Sequence, residues 1–310
     1  MQSGRAQIAV VGGANMDIGG FSDSKLRIGD SNPGHVHLSA GGVGRNIAEN
    51  AARLGMDVRL ISAIGDDANG RILLEDCRQK GIRTDGCRIG GGRTSVYLFI
   101  GDERGDMHCA VSDMEIQNTL TPEFLATRLD ELNAMDAVAM DANLPEESIR
   151  FLAESVKVPL FADPVSAAKV ERLRGALKHL YCLKPNRMEA ELLSGMRIWD
   201  ANDAKTAARR LNAAGLRRVF VTMGLEGAVC AEDGKCSFIP CAVSKAVNAT
   251  GAGDAFTAAL VWAHCEGFDL EQSCAAGMAA STISVESMAT VSPEMSRENL
   301  MRKMAEFSIG

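Results

Sequence analysis

The feature that most constrains this chain is a change of period. Short apolar or β-branched runs fall at 7–11 (QIAVV), 58–63 (VRLISA), 137–141, 159–162 (PLFA), 180–183 (LYCL), 218–222 (RVFVT) and 227–230. Longer amphipathic stretches lie between them, at 45–54, 69–80, 122–133, 146–156, 187–194 and 202–214. A near-continuous apolar strand has to be covered on both faces, and a parallel neighbour needs a crossover long enough to hold a helix. The alternation therefore predicts an α/β fold of three layers, a mainly parallel sheet between two layers of helices. Thr121-Pro122-Glu123 supplies a hydroxyl, a proline and an acid in the order a helix start uses. From 251 onward the pattern is helical, at 251–266, 270–285 and 294–306.

The alternation breaks in two places. Residues 21–40 and 91–113 carry turn residues such as Gly90-Gly91-Gly92 and Asp102-Glu103-Arg104-Gly105. His35-Val36-His37-Leu38 and Ser95-Val96-Tyr97-Leu98-Phe99 alternate with period two, as a half-exposed sheet does. Two such insertions can pair into a small second sheet over a site, so they are read as a lid on a single domain covering 1–310. No internal repeat and no low-complexity segment interrupts it.

The charge balance removes whole function classes. Lys and Arg number 33 against 40 Asp and Glu, a net charge of −7. Bulk binding of nucleic acid or an anionic membrane needs clustered cations, so neither is expected as a partner. Small phosphates stay possible, because backbone N–H groups hold them. No apolar run reaches the 18 or more residues of a span, and Ile8-Ala9-Val10-Val11 is too short for a signal h-region, so the expected location is cytoplasmic. The nine cysteines are scattered, without C-x-x-C spacing, which argues against a disulfide scaffold or a zinc site.

Three groups of residues carry chemistry. Asn248-Ala249-Thr250-Gly251-Ala252-Gly253-Asp254 leads into an apolar helix. Its glycines allow close backbone approach, the first N–H groups of the helix lack partners, and the dipole adds positive potential. Such a place holds an anion, and Asp254 beside it is positioned to take a proton from an attacking hydroxyl. The plainer alternative is small-residue packing plus an acid that the dipole favours. Gly41-Gly42-Val43-Gly44-Arg45-Asn46 also opens a helix. A dinucleotide fingerprint is disfavoured there, since Ile47 occupies the third glycine position. No P-loop motif occurs. The third group is polar residues after strands: Asn15 and Asp17, Asp163-Pro164, Lys184-Pro185-Asn186 with Glu189, and Thr222-x-Gly224-x-x-Gly227. Ligands of open α/β sheets bind at the carboxyl ends of strands, so these converge on one crevice, although each alone could be a cap or turn residue. His35 and His37 lack a third metal ligand, and the methionines near the C-terminus read as core or subunit contacts.

In this order the motifs resemble the ribokinase-like, or PfkB, family of sugar and nucleoside kinases, over nearly the full length. Within the family the chain is most similar to the branch that phosphorylates pseudouridine. That similarity lies in Asp30-Ser31-Asn32-Pro33-Gly34, Gly42-Val43-Gly44-Arg45-Asn46-Ile47-Ala48, Asp163-Pro164-Val165-Ser166-Ala167, Lys184-Pro185-Asn186-Arg187 and Asn248-x-Thr250. The resemblance implies ATP-dependent transfer to the 5′-hydroxyl of pseudouridine. It makes Asp254 the base and the amides of Gly251, Ala252 and Gly253 the cradle of the transferring phosphoryl group. Asp17, Gly42 and Asn46 would hold ribose hydroxyls, with Asn15 and Gly41 beside them and Ser31 and Asn32 near the nucleobase. Asn186, Thr222, Gly224 and Gly227 would hold the nucleotide, and Asn186 with Glu189 would position Mg²⁺ through water. A homodimer through the lid is also implied. Asn248 stands where many members carry an aspartate that helps bind K⁺, and the lost charge predicts weak or absent K⁺ activation. The rival readings are another sugar or nucleoside kinase of the ribokinase, adenosine kinase or fructokinase type, and a nucleoside-binding regulator without turnover.

Overall fold

The computed structural model describes residues 4–241 and 248–307. In its first half the elements run β1 (Gln7–Val11), β2 (Asn15–Ser22), β3 (Gly34–Gly41), α1 (Val43–Arg53), β4 (Asp57–Ile61), β5 (Ala63–Ile64), α2 (Ala68–Gln79), β6 (Ile82–Arg83), β7 (Arg88–Ile89), β8 (Val96–Gly101) and β9 (Met107–Asp113). Then come α3 (Pro122–Ala126), α4 (Leu129–Leu132), β10 (Ala137–Asp141), α5 (Glu146–Ser155), β11 (Leu160–Asp163), β12 (Cys182–Leu183), α6 (Arg187–Ser194), α7 (Ala201–Ala213), β13 (Arg218–Thr222), β14 (Gly227–Glu232), β15 (Lys235–Pro240), α8 (Ala252–Cys265), α9 (Leu270–Val285) and α10 (Arg297–Met304).

Nine strands form the central sheet in the order β15-β14-β13-β12-β11-β10-β1-β4-β6. It is parallel from β13 to β6 and antiparallel along the β13-β14-β15 edge. The apolar runs are continuous because both faces are covered. Along β1, Ile8 and Val10 enter the core shared with α1, α8 and α9, while Ala9 and Val11 enter the core on the opposite face with Leu152 and Leu211. This is the expected three-layer α/β/α arrangement. Cys77, Cys87, Cys182 and Cys274 are buried thiols, as scattered cysteines suggest.

A second sheet, in the order β3-β2-β8-β9, is built by the two insertions. Its first strand starts at Asn15, six residues before the expected boundary. The polar Asn15-x-Asp17 pair and the two glycines that follow hide the strand pattern of β2. The half-exposed reading of 35–38 is corrected. His35, Val36, His37 and Leu38 are all exposed, Val36 by 64% and Leu38 by 57%. Along β3, Gly34 to Ser39 are exposed, and only its end, at Ala40 and Gly41, packs against the core.

Three further differences have local causes. The helix expected over 122–133 is split into α3 and α4, and Thr127 Oγ1 donates back to the Phe124 carbonyl at the break, 2.6 Å away. A 3₁₀ segment at Val170–His179 and the edge strand β15 carry no clear period and escape sequence reading. Among the described residues, no helix is long and apolar enough to cross a membrane.

Candidate active site

The strongest motif of the sequence builds the floor of the site. Gly251 is the N-cap of α8 with φ of 83°, and a Cβ there would run into the carbonyl of Thr290. Only glycine fits the position. Ala255 N–H donates to the Gly251 carbonyl at 2.9 Å, so the helix starts there; the Ala252 N–H donates to the Ala249 carbonyl at 3.4 Å, and Ala252, Gly253 and Asp254 line a crevice. Asp254 sits in this turn, nine-tenths buried. Its Oδ2 accepts from Asn46 Nδ2 at 2.9 Å. Burial pushes the carboxyl well above the ordinary aspartate range. The negative charges of Asp163 and Asp141 add to that, and Asn46 and Lys184 oppose it.

Lys184 follows β12, and its ammonium lies 3.0 Å from Asp163 Oδ2 with both side chains almost fully buried. Thr257 Oγ1 of α8 donates to the same carboxylate oxygen at 2.8 Å, and the Val165 N–H donates to the other at 2.9 Å. Val165 holds φ of 67°, a left-handed backbone that β-branched residues rarely adopt. A Cβ on Gly253 would come within 2.8 Å of Lys184 Nζ, so the ammonium lies directly against the first turn of α8. Burial alone would lower the pKa of Lys184, but Asp163, Glu189 and Asp254 surround it and hold it above the ordinary lysine value.

Asn186 and Glu189 form a capping box at the start of α6. The Glu189 N–H donates to Asn186 Oδ1 at 3.0 Å, and the Asn186 N–H donates to Glu189 Oε2 at 2.8 Å. Thr222, at the end of β13, bridges to Asn186 through its N–H to the Pro185 carbonyl, 3.0 Å. Asp163, Lys184, Asn186, Thr222, Gly224, Gly227, Gly253 and Asp254 line one crevice of about 760 Å³. That size suits a small-molecule ligand.

Asp254 is part of this lining, and Asn15, Asp17, Gly41, Gly42 and Asn46 are not. Gly42 has φ of 98°, and a Cβ there would strike the Gly13 carbonyl and Ala14 Cα at 2.5 and 2.7 Å. That close passage brings Gly41 against the carboxylate of Asp17. Asn15 Nδ2 donates to Asp17 Oδ1 at 2.6 Å, and burial raises the Asp17 carboxyl despite that bond and nearby Arg45. Asn46 joins the two halves through Asp254. Ser31 and Asn32 make their hydrogen bonds locally. They sit in the turn between β2 and β3, where Asn32 Oδ1 accepts from the Arg27 N–H at 2.8 Å and its Nδ2 donates to the Arg27 and Asp30 carbonyls at 3.1 Å.

Two residues outside the predicted site set belong to the arrangement. Thr257 reads from sequence as one more position on an apolar helix. Arg45 reads as an ordinary neighbour of Asn46, although a cation in a first helical turn opposes the dipole and is the one signal that could have drawn attention to it.

The model of the pfkB family carbohydrate kinases matches residues 5–297. The chain belongs to that family. Pseudouridine kinase of Escherichia coli is 35% identical over 297 residues, covering 95% of each chain. YeiI of the same organism, described as an uncharacterized sugar kinase, is 37% identical over 94% of this chain and 82% of its own. The carbohydrate kinase of Agrobacterium tumefaciens superimposes with a TM-score of 0.86 at 30% identity, over 97% of this chain and 98% of that one. A pfkB kinase transfers a phosphoryl group to a small sugar or nucleoside, and the ribokinase-like fold is confirmed.

The donor set of this pfkB kinase fits a divalent cation of the Mg²⁺ type. Asn186 and Glu189 offer only oxygen ligands, and the Glu189 carboxyl is buried and faces the crevice. Among the described residues, no group of three or more His, Cys, Asp or Glu could cage a metal. Mg²⁺ keeps several waters and leans on substrate phosphates, so two protein oxygens suffice.

Proposed function

We propose that the protein transfers the γ-phosphoryl group of ATP to the 5′-hydroxyl of pseudouridine, giving pseudouridine 5′-phosphate and ADP. Asp254 takes the hydroxyl proton, and its raised pKa suits a group that must both accept and release one. The amides of Gly251, Ala252 and Gly253 hold the transferring phosphoryl oxygens at the positive end of α8. Asn15, Asp17, Gly41, Gly42 and Asn46 hold the sugar. Thr222, Gly224, Gly227 and Asn186 hold the nucleotide, and Asn186 with Glu189 orders the waters of Mg²⁺. The bound metal supplies charge neutralisation between the phosphates. The second sheet acts as a lid that excludes water on closing. Its exposed apolar side chains Val36, Leu38 and Val111 are the contact through which two copies pair.

One observation carries the choice of a nucleoside over a bare sugar. Asp17, Gly19 and Phe21 share one face of β2, opposite Ser39, His37 and His35 of β3 and Tyr97, Phe99 and Gly101 of β8. A Cβ on Gly19 would meet the Phe99 ring at 2.5 Å, so that ring lies over the glycine. Phe21 stacks with His35 and meets Phe99 edge-on, each at 5.6 Å, and Tyr97 lies 6.0 Å from Phe99. Two residues along a strand span about 7 Å. A ribose held at Asp17 therefore has this aromatic row within reach of its C1 substituent. A planar base gains from it, while ribose or fructose leaves it empty.

The test is ADP release with pseudouridine, uridine, adenosine, ribose and fructose. Pseudouridine should give the highest kcat/KM, and a preference for ribose or fructose would overturn the assignment. Binding of nucleoside and ATP without ADP release would leave a regulator instead of an enzyme. Phe99→Ala should raise KM for pseudouridine about tenfold, from the loss of about 1–1.5 kcal/mol of ring contact, and leave residual ribose turnover unchanged.

Monovalent cations provide a further test. Asn248 Oδ1 accepts from the Thr250 N–H at 3.0 Å and its Nδ2 donates to the Met288 carbonyl at 3.1 Å, so both ends of the amide are engaged, one within its loop and one across to the segment after α9. Replacing K⁺ by a large organic cation should change kcat by less than about twofold, which is under 0.5 kcal/mol of barrier. A loss of ten times or more would show that this loop binds K⁺ without the aspartate.

A further inference from the structure

Arg45 is 3% exposed, beside the site yet outside every role assigned above. It occupies the first turn of α1, where the dipole repels a cation, and burying a guanidinium is costly unless each donor is matched. Its Nη2 pairs with Glu49 Oε2 at 2.5 Å and with Asp76 of α2. Its Nη1 donates to Asn46 Oδ1 at 3.2 Å. A guanidinium has donors and no acceptor, so it can face only the carbonyl end of the Asn46 amide. The NH₂ end is thereby turned to Asp254 Oδ2, 2.9 Å away. With the amide flipped, NH₂ would confront the guanidinium and a carbonyl oxygen would confront the carboxylate. Two repulsive contacts would replace two attractive ones.

We propose that Arg45 is a positioning residue for phosphoryl transfer: it locks the amide of Asn46 so that Asp254 is held by Oδ2 and keeps Oδ1 for the incoming hydroxyl. Glu49 and Asp76 hold the guanidinium in turn, and Arg53 and Lys80 flank Glu49. The orientation of the base thus depends on a chain of contacts running from α2 through α1 to α8. The inference rests on Asp254 being the proton acceptor.

Arg45→Met removes the donor and keeps the bulk. Expected are a kcat about 10–100 times lower, the worth of one charge-assisted bond, and a KM for ATP within about twofold of wild type. The acid limb of the kcat profile should also move to higher pH, because an oriented donor favours the charged carboxylate. The other charges facing Asp254, namely Asp163, Lys184 and Asp141, remain in place in this variant, as does Asp17 near Arg45. The deciding measurement is the same replacement in an Asn46→Ala background, where it should cost less than about threefold. An equal cost in both backgrounds, or an unmoved acid limb, overturns the proposal and leaves Arg45 a structural tie between helices. Should Arg45→Met fail to fold, Asp76→Asn loosens the guanidinium from a partly exposed position. It should lower kcat about two- to fivefold in the wild-type background and not in Asn46→Ala. Activity retained by Asp254→Asn would instead defeat the underlying reading, so the two failures are distinct.

Discussion

Asp254→Asn should abolish nearly all turnover while making the ligand-free protein more stable. The carboxylate is the one group in the first turn of α8 that can accept a proton, and an amide cannot. Loss of a general base alone lowers kcat by about 10²–10⁴. The Asn46 contact at 2.9 Å survives, because the new side chain still offers a carbonyl oxygen. ATP affinity should therefore change little, which separates a lost base from a collapsed site. A variant with near-normal kcat would remove Asp254 from the mechanism.

The stability effect follows from linkage. The folded-state pKa of Asp254 is raised above its unfolded value, first by burial and then by Asp163. Such a group binds a proton on folding. Its contribution is fully present below the unfolded pKa and is lost as pH rises through the folded pKa. Asp141, wholly buried and pushed up to about 6, acts in the same direction. The ligand-free wild type should thus lose stability as pH rises from about 4 through these values. Asn at 254 carries no charge to desolvate, so its advantage in melting temperature should grow between about pH 5 and pH 8. A constant difference across that range would mean that the carboxyl is charged in both states throughout. Stability withheld at a reacting group is a common cost of function.

Much of this molecule is legible in its sequence, and the exceptions have physical causes. The strands of the parallel sheet are readable because each is buried on both faces and written in apolar residues. The start of α8 is readable because Gly251 can be nothing else. The second sheet is readable as an insertion, but not its exposure. Period two in His35-Val36-His37-Leu38 encodes alternating chemistry, and whether anything covers the apolar side is decided elsewhere. The aromatic row over Gly19 is invisible to sequence because it depends on the register of β8 with β2. Arg45 and Thr257 were missed for the same reason. Their meaning lies in what stands across from them, 31 residues away for Arg45 and Asp76 and 94 residues away for Thr257 and Asp163.

Lys184 carries the other large effect. Its motif is visible in the sequence, but only the fold sets its ammonium between Asp163, Glu189 and Asp254. Lys184→Met would leave the Asp163 carboxylate buried with only Thr257 and a backbone N–H, which should destabilise the protein by about 3–5 kcal/mol. Adding Asp163→Asn removes the stranded charge, so the double variant should recover most of the stability measured by denaturant unfolding. It should not recover activity. Without the ammonium against Gly253, the first turn of α8 loses a positive charge at the place where the proposed reaction gathers phosphoryl oxygens. In Lys184→Met alone, Asp254 also loses an opposing charge that stabilises its ionised form, so the acid limb of the rate profile should rise, whereas the double variant also removes the larger, raising effect of Asp163. Recovery of both stability and turnover in the double variant would make the Lys184–Asp163 pair purely structural. Recovery of stability alone would show that the crevice keeps a buried ion pair because an acidic protein must supply its phosphate site with positive charge locally.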